Sequence, residues 1–394
     1  MIRAIRARIE RLAPTGEGIA HDAGKVIFVD SALPGELVEA EVFEEKARHA
    51  RASATGVLEA SPDRRATDVH AEACGGTDWA HFRLEPARAA KRELFLETML
   101  RIGRLDPAVF GELPIAGSGL AYRLRNQFHV ARAAGEVRAG FFAKRSHRVV
   151  PLDGCEIVST ETRAAIARLC SEGSLPDGRV ETLESVETGP GHAFALSDHE
   201  GRPIGDSAAA LDVRVGARPF RVSVGSFFQV NRHRLEALFD GVRDVAAASG
   251  AQTALDAYAG AGFLSRALVE AGARVTAVEA APASSADAEV NRSRLGSDDR
   301  LDLVAARVEN FLSRSQPLFD VVVADPPREG LKATAAPLAA LARRQLIYVS
   351  CEPASLARDL GTILARGFRI ESARLEDFFP LTHRVEAVVV LRRD

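Results

Sequence analysis

The rhythm of apolar and polar positions changes twice along this 394-residue chain. Over residues 1–59 it consists of short alternating runs divided by glycine and proline turns. Ile2 to Leu12 alternates, Pro14-Thr15-Gly16-Glu17-Gly18 turns, and Lys25-Val26-Ile27-Phe28-Val29 reads as a strand. Leu33-Pro34-Gly35-Glu36 turns again, Leu37 to Val42 alternates, and Gly56-Val57-Leu58-Glu59 closes the set. Period-two runs bounded by turn residues predict strands. So many strands in so short a stretch predict a small closed β-barrel, of the kind that often presents a nucleic-acid-binding face. Ser61-Pro62-Asp63-Arg64-Arg65 reads as a linker.

Residues 60–219 form a mixed α+β middle domain in this reading. Residues 80–104 carry apolar Leu84, Ala87, Leu94, Leu96 and Leu100 among charges and predict a helix. Residues 121–158 predict paired strands, Thr160–Cys170 a helix, and the stretch to about residue 217 further strands. Residues 220–394 then alternate strand and helix. The strands expected are Ala254–Tyr258, Arg274–Glu279, Leu301–Ala305, Asp320–Asp325 and Gln345–Val349, with helices at Phe263–Glu270 and Ser284–Leu295. Such alternation predicts a doubly wound, mainly parallel sheet with ligands at the C-terminal strand ends.

Composition narrows the class. Hydrophobic residues make up 46% and charged residues 27%, as in a soluble globular protein. No apolar run reaches membrane-spanning length. Arg3, Arg6 and Arg8 interrupt any hydrophobic leader, so no secretory signal is expected. Four cysteines, Cys74, Cys155, Cys170 and Cys351, do not suggest a disulfide scaffold and point to a reducing cytoplasm. A net charge of −3 argues against indiscriminate polyanion binding. Locally, residues 121–150 hold seven Lys/Arg against Glu136 alone, interleaved with Tyr122, Phe128, Phe141 and Phe142. Basic side chains track phosphates and aromatic faces stack on unpaired bases. An ordinary sheet with a solvated charged face fits that stretch as well.

Three segments carry candidate chemistry. Ile347-Tyr348-Val349-Ser350-Cys351-Glu352-Pro353 ends an apolar run at a cysteine. Cys351 is either a small buried hydrophobe or a nucleophile. Asp256-Ala257-Tyr258-Ala259-Gly260-Ala261-Gly262 lies between a strand and its helix, where glycines let a ligand approach the backbone. Glu279 ends the next strand and suits two ribose hydroxyls. A nicotinamide site and an S-adenosylmethionine site both use such a loop and acid, although Ser265 replaces the third glycine of the dinucleotide pattern. Asp325-Pro326-Pro327-Arg328 ends another strand, and its prolines rigidify the turn.

Together these segments resemble the bacterial RNA uracil-5 methyltransferases that use S-adenosylmethionine, the tRNA and 23S rRNA enzymes. The resemblance rests on Ser226-Phe227-Phe228-Gln229-Val230-Asn231, the Asp256–Gly262 loop and Asp325–Arg328. It continues through Tyr348–Pro353 with Leu356-Ala357-Arg358-Asp359, and through Asp377-Phe378-Phe379-Pro380-Leu381-Thr382-His383-Arg384-Val385-Glu386. Residues 1–59 resemble the TRAM domain of rRNA-type members. The resemblance implies a Rossmann-like class I methyltransferase domain at 220–394, preceded by the barrel and the α+β domain. It implies Cys351 as the nucleophile and Glu386 as the general base. It implies Gln229, Tyr258, Gly260, Glu279 and Asp325 as cofactor-binding residues. By the same resemblance Phe227 falls where the family has an aromatic next to the target base, and Arg125 and His383 are the other candidate substrate contacts. His383 is expected to orient its neighbours rather than transfer protons.

The chain departs from the family in three places. Many rRNA-type members hold an iron–sulfur cluster on four cysteines. Here Cys74-Gly75-Gly76-Thr77 and Asp68 leave only Cys74 and Cys155, so no cluster and no metal are expected. Glu352 stands where Asn is usual, and a carboxylate there would oppose thiolate formation unless it points away. Arg307 stands where an acid often approaches the adenine. The expected partner is RNA, rRNA before tRNA because of the barrel, with a monomer as the default. A methyltransferase acting on an exocyclic amine, or a catalytically silent RNA-binding protein, are the alternatives.

Overall fold

The structure is a computed structural model that describes residues 3–22, 24–67, 73–133, 135–172, 175, 181–188, 191–200, 202–204, 209–296 and 298–393. The first six strands, Arg3–Arg8, Arg11–Leu12, Gly18–Asp22, Lys25–Asp30, Leu37–Glu45 and His49–Glu59, make one sheet. Its two edge strands, Arg3–Arg8 and Arg11–Leu12, are consecutive in the chain, so the sheet curls back onto its own start. Ile9, Ala20, Ile27, Val29 and Val38 fill the interior. The last strand begins at His49, well before the expected Gly56. Ala50 and Ala52 alternate inward with His49, Arg51 and Ser53, a period-two pattern that such small residues leave faint in the sequence.

The next sheet is antiparallel throughout. Its order is Val149–Pro151, Glu136–Phe142, Arg125–Ala133, Thr182–Glu187, His192–Ser197 and Pro203–Ile204. The helix Thr160–Ser171 packs on it, started by Ser159, whose Oγ accepts from the Thr162 N–H at 3.0 Å. Phe128, Ile157, Ile166 and Leu183 form the core between them.

The largest sheet has eight strands. Leu301–Ala305, Arg274–Glu279, Thr253–Ala257, Phe319–Ala324 and Ala342–Ser350 run parallel in that spatial order. Glu386–Arg393 is antiparallel to both its neighbours, Ala342–Ser350 and Phe368–Glu376. Phe368–Glu376 had no signature in the sequence, because a register irregularity between Ile370 and Ser372 breaks its alternation. Ile115–Ala116 adds the outermost strand.

The helix Leu84–Arg101 packs against Pro353–Leu364, and Phe95 and Met99 enter the same core as Tyr348 and Leu356. Its buried face differs from the expected one. Leu100 is 52% exposed, whereas Lys91 is 2% exposed. The Lys91 ammonium donates to Asp377 Oδ1 at 2.5 Å and to the Phe379 carbonyl at 3.0 Å. Arg88 Nε donates to Asp377 Oδ2 at 3.2 Å. Burial lowers the Lys91 pKa, and Asp377 opposes that shift. A buried ammonium is tolerated here because a carboxylate and a carbonyl replace its water. Among the described residues no helix is long and apolar enough to cross a membrane.

Replacing Lys91 by Met leaves the Asp377 carboxylate buried with Arg88 as its remaining cation. Guanidinium unfolding should report a loss of about 3 kcal/mol, the low end for breaking a buried pair.

Candidate functional site

The strand ends of the large sheet converge on one cleft. Thr253–Ala257 runs out into a loop whose backbone turns left-handed at Tyr258 (φ 69°), Gly260 (φ 55°) and Gly262 (φ 81°). The Tyr258 and Ala259 N–H groups both donate to the Val278 carbonyl, at 3.1 and 3.0 Å. Tyr258 is the costly member of this turn, since non-glycine residues rarely adopt positive φ. Its hydroxyl bonds Thr334 Oγ1 at 3.1 Å. Glu279 closes the loop from below: Oε2 accepts from Gly260 N at 2.8 Å and Oε1 from Ala281 N at 2.6 Å. Each oxygen thus already carries a backbone bond and retains one acceptor position for a ligand.

Phe227 lies against this loop. A Cβ added at Gly260 would sit 2.9 Å from Phe227 Cδ1, so glycine is needed for the approach. Phe227 N donates to Ser284 Oγ at 2.9 Å, yet the residue is 48% exposed. A large ring held by its backbone and left open is a ready stacking surface.

Two acids face the cleft without a cation. Gln229 Nε2 donates to Asp325 Oδ2 at 2.6 Å, and Ser265 Oγ to Asp256 Oδ2 at 2.5 Å. Asp256 Oδ1 is buried with no partner. Burial pushes both carboxyls up to about 7, and the charge of Asp256 adds to the shift at Asp325. Asp256 was not among the sequence candidates. Its signal was present: a single acid within an otherwise apolar strand, one turn before the glycine loop. A cationic ligand suits this pair, because it supplies the missing counter-charge and a donor for Oδ1.

Cys351 and Glu386 meet through strand register. Ser350 pairs with Ala387 in the antiparallel ladder, which sets Cys351 opposite Glu386. Glu386 is 3% exposed, and burial with the charges of Asp325 and Glu376 raises its pKa well above the carboxylate range. Burial, then Glu386 and Asp325, push the Cys351 thiol up to about 12, while Arg328 and Arg384 oppose this. The carboxylates acting on the thiol are thus Glu386 and Asp325. Glu352 instead supports the charge of Arg384, which burial and Arg328 lower.

The remaining candidates lie around this centre. His383 Nδ1 bonds the Asp78 carboxylate, and its ring meets Trp79 edge-on at 6.5 Å. Arg125 turns inward, reaching the Phe228 carbonyl at 3.4 Å; burial lowers its pKa, and Glu184 and Asp287 oppose that shift. Arg307 is exposed at the start of the short helix Val308–Leu312. A cavity of about 700 Å³ runs between the barrel and the middle sheet to Arg328, lined also by Arg123, His129, Phe142 and Lys144. His129 and Phe142 are stacked within it, centroids 3.5 Å apart. Part of the basic stretch joins domains instead: Lys144 Nζ reaches Ser31 Oγ at 3.1 Å, and Arg145 Nη2 reaches Ser53 Oγ at 2.8 Å. Cys74 and Cys155 line one small cavity with Leu381, and Cys74 Sγ accepts from Gly76 N at 3.3 Å. Among the described residues no group of three or more His, Cys, Asp or Glu could hold a metal; Asp68 lies outside them.

Comparisons with known proteins agree with this architecture. Residues 208–394 match the family model described as tRNA (uracil-5-)-methyltransferase, and residues 3–55 match the TRAM domain. A 23S rRNA (uracil(1939)-C(5))-methyltransferase of Chromohalobacter salexigens is 32% identical, over 98% of this chain and 89% of that protein. An uncharacterized RNA methyltransferase of Bdellovibrio bacteriovorus is 33% identical, over 99% of this chain and 95% of that one. The solved tRNA (uracil-54, C5)-methyltransferase of Pyrococcus abyssi, in complex with S-adenosyl-L-homocysteine, shares the fold with a TM-score of 0.74. It is 21% identical, covering 98% of this chain and 100% of that one.

Two predictions concern the charges. The folded protein holds Asp256 and Asp325 near 7 against an ordinary 3.8, so it binds more protons than the unfolded chain between those values. Stability of the ligand-free protein from these groups therefore falls as pH rises through that window. Asp256→Asn should raise the melting temperature at pH 8 and leave it nearly unchanged at pH 4, as calorimetry would show. For the thiol, iodoacetamide labelling of the Cys351 peptide, followed by mass spectrometry, should climb about tenfold per pH unit from 7 to 10. Glu386→Gln should speed labelling at pH 8, and Arg384→Ala should slow it.

Proposed function

The chain belongs to the tRNA (uracil-5-)-methyltransferase family, and we propose that it methylates C5 of a uridine in 23S rRNA with S-adenosylmethionine as donor. The observation that carries the chemistry is the register that sets Cys351 opposite Glu386, beside Asp325. The rRNA reading is supported by the 32% identity over nearly the whole chain to an enzyme named for 23S rRNA. A tRNA substrate is the second reading. The barrel does not choose between them, since the tRNA enzyme of Pyrococcus abyssi matches over 98% of this chain.

Asp256, with its unpartnered oxygen, and Asp325 suit a cationic cofactor; Gln229, Tyr258, Gly260 and Glu279 are the further residues we assign to it. When bound, S-adenosylmethionine supplies an electrophilic methyl carbon and a positive charge. Uracil C5 is a poor nucleophile, so Cys351 must first activate the ring. With the charge of Asp325 satisfied, its repulsion of the Cys351 thiolate falls, and Arg328 and Arg384 favour the anion further. The thiolate adds to C6 and pushes electron density to C5, which would take the methyl carbon as its bond to sulfur breaks and the donor leaves as a neutral thioether. Glu386, a strengthened base because it is desolvated, then takes the C5 proton. Cys351 leaves C6, and the ring is restored as 5-methyluracil. Phe227 offers a face for the target base, which must be unstacked to reach the cleft.

In this reading residues 220–394 carry the chemistry, and residues 1–59 and 60–219 grip RNA. The stacked His129–Phe142 pair and the cavity ending at Arg328, where Arg123, Lys144 and Arg145 stand among Glu17, Asp30 and Asp78, support that grip; Arg125 and His383, outside that lining, are the further substrate-side residues we assign. A cytoplasmic monomer completes it, in keeping with four free cysteines.

The test is transfer of labelled methyl to rRNA and tRNA from a strain lacking the modification, followed by nucleoside digestion. Label in 5-methyluridine of 23S rRNA is expected, with Cys351→Ala reducing turnover at least a thousandfold and removing the covalent RNA adduct. Label only in tRNA selects the second reading. Label only in a methylated amine, or full turnover by Cys351→Ala, rejects the mechanism.

A further inference from the structure

The N-terminal barrel touches the segment that leads into Glu386. Gly16 lies in the turn before the strand Gly18–Asp22, with φ 94°. A Cβ placed there would stand 2.8 Å from His383 Cβ and 3.0 Å from His383 Cγ. The glycine is therefore required twice, for its backbone conformation and for the approach of a side chain from the catalytic domain.

Trp79 ties the same two parts together and is 1% exposed. Its indole Nε1 donates to the Gly16 carbonyl at 2.8 Å, and its backbone N–H donates to the Leu381 carbonyl at 3.0 Å. Leu381 has φ 62°, a conformation that a leucine leaves unless something holds it. The neighbouring Asp78 carboxylate bonds His383 Nδ1. Thr382 Oγ1, between them, donates to the Phe379 carbonyl at 2.8 Å and accepts from Arg384 N at 3.2 Å. Three residues past His383 the chain enters its last strand at Glu386.

We propose that the barrel is a positioning element of the active site. The contact of Gly16 with His383, secured by Trp79 and Asp78, sets the Leu381–Arg384 turn and through it the Glu386 carboxylate. Gly16, Asp78, Trp79 and His383 are positioning residues for proton removal. The proposal rests on the reading of Glu386 as the base. It follows that disturbing Gly16 acts late in the reaction. Addition of Cys351 to C6 and methylation of C5 proceed, but the C5 proton stays. Elimination of Cys351 from C6 then waits, and the covalent RNA–protein adduct builds up. A merely structural barrel would lose adduct and turnover together.

The full chain offers an internal control. Gly35 is in the same barrel at φ 83°, and a Cβ there meets nothing within 4 Å. Gly16→Ala and Gly35→Ala impose similar backbone strain on the barrel, but only the first presses on His383. With unmodified 23S rRNA and S-adenosylmethionine, three quantities are read: kcat, RNA affinity by filter binding, and the adduct fraction on denaturing gels. Gly16→Ala should lower kcat at least tenfold and keep RNA affinity within twofold of Gly35→Ala. Its adduct fraction should rise severalfold, as in Glu386→Gln. Asp78→Asn, which adds no atom at the contact, should show the same pattern and serves if Gly16→Ala fails to fold. Two results overturn the proposal: kcat of Gly16→Ala and Asp78→Asn equal to that of Gly35→Ala, or loss of turnover and RNA affinity in proportion with no adduct. If Glu386→Gln itself turns over normally without adduct, the base assignment fails and this proposal falls with it.

Discussion

Everything at the cleft follows from the desolvation of carboxylates that have no cation beside them. Asp256, Asp325 and Glu386 sit at strand ends where burial costs each its charge, and each charge raises the cost for the next. An arrangement of this kind is unstable as an anionic cluster and stable when protonated or when a positive ligand arrives. The same field holds the Cys351 thiol protonated in the ligand-free protein. A thiol held protonated by its surroundings is protected from alkylation and oxidation.

The rest of the fold shows what a satisfied acid looks like by contrast. Asp377 meets Lys91 and Arg88, and Glu376 accepts from Arg234 Nε at 2.8 Å and Arg374 Nε at 3.1 Å. Asn231 Nδ2, in the segment that carries Phe227 and Gln229, donates to the Phe378 carbonyl at 2.9 Å. These contacts hold the approach to Glu386 from three sides, with Lys91 arriving on a helix nearly three hundred residues earlier in the chain. The carboxylates of this shell have cations and donors in place of the water they lose, whereas Asp256 Oδ1 in the cleft has none.

The sheet and its motifs were readable in advance because their signals are local. A period of two, a glycine loop, and an Asp-Pro-Pro turn are each set by residues a few positions apart. The strand Phe368–Glu376 was hidden because its register slips, and the start of His49–Glu59 because alanines make alternation faint. Lys91 did not stand out among the charges of its helix, since nothing near it in the chain announces Asp377. Asp256 looked like part of a loop, since only the closed cleft shows that one of its oxygens has no partner. Glu352 drew notice as the neighbour of Cys351 in the chain, but the negative charges that reach the thiol come from Glu386 and Asp325.

By itself the sequence determined the order of the elements, the family they resemble and the candidates for the reactive groups. Those depend on covalent neighbours and on spacing along the chain. Only the tertiary structure decided which acids lose water, which thiol faces which carboxylate, and that Gly16 of the barrel lies against His383. Burial and through-space charge belong to residues far apart in the chain, and the distances between them exist only once the chain has packed.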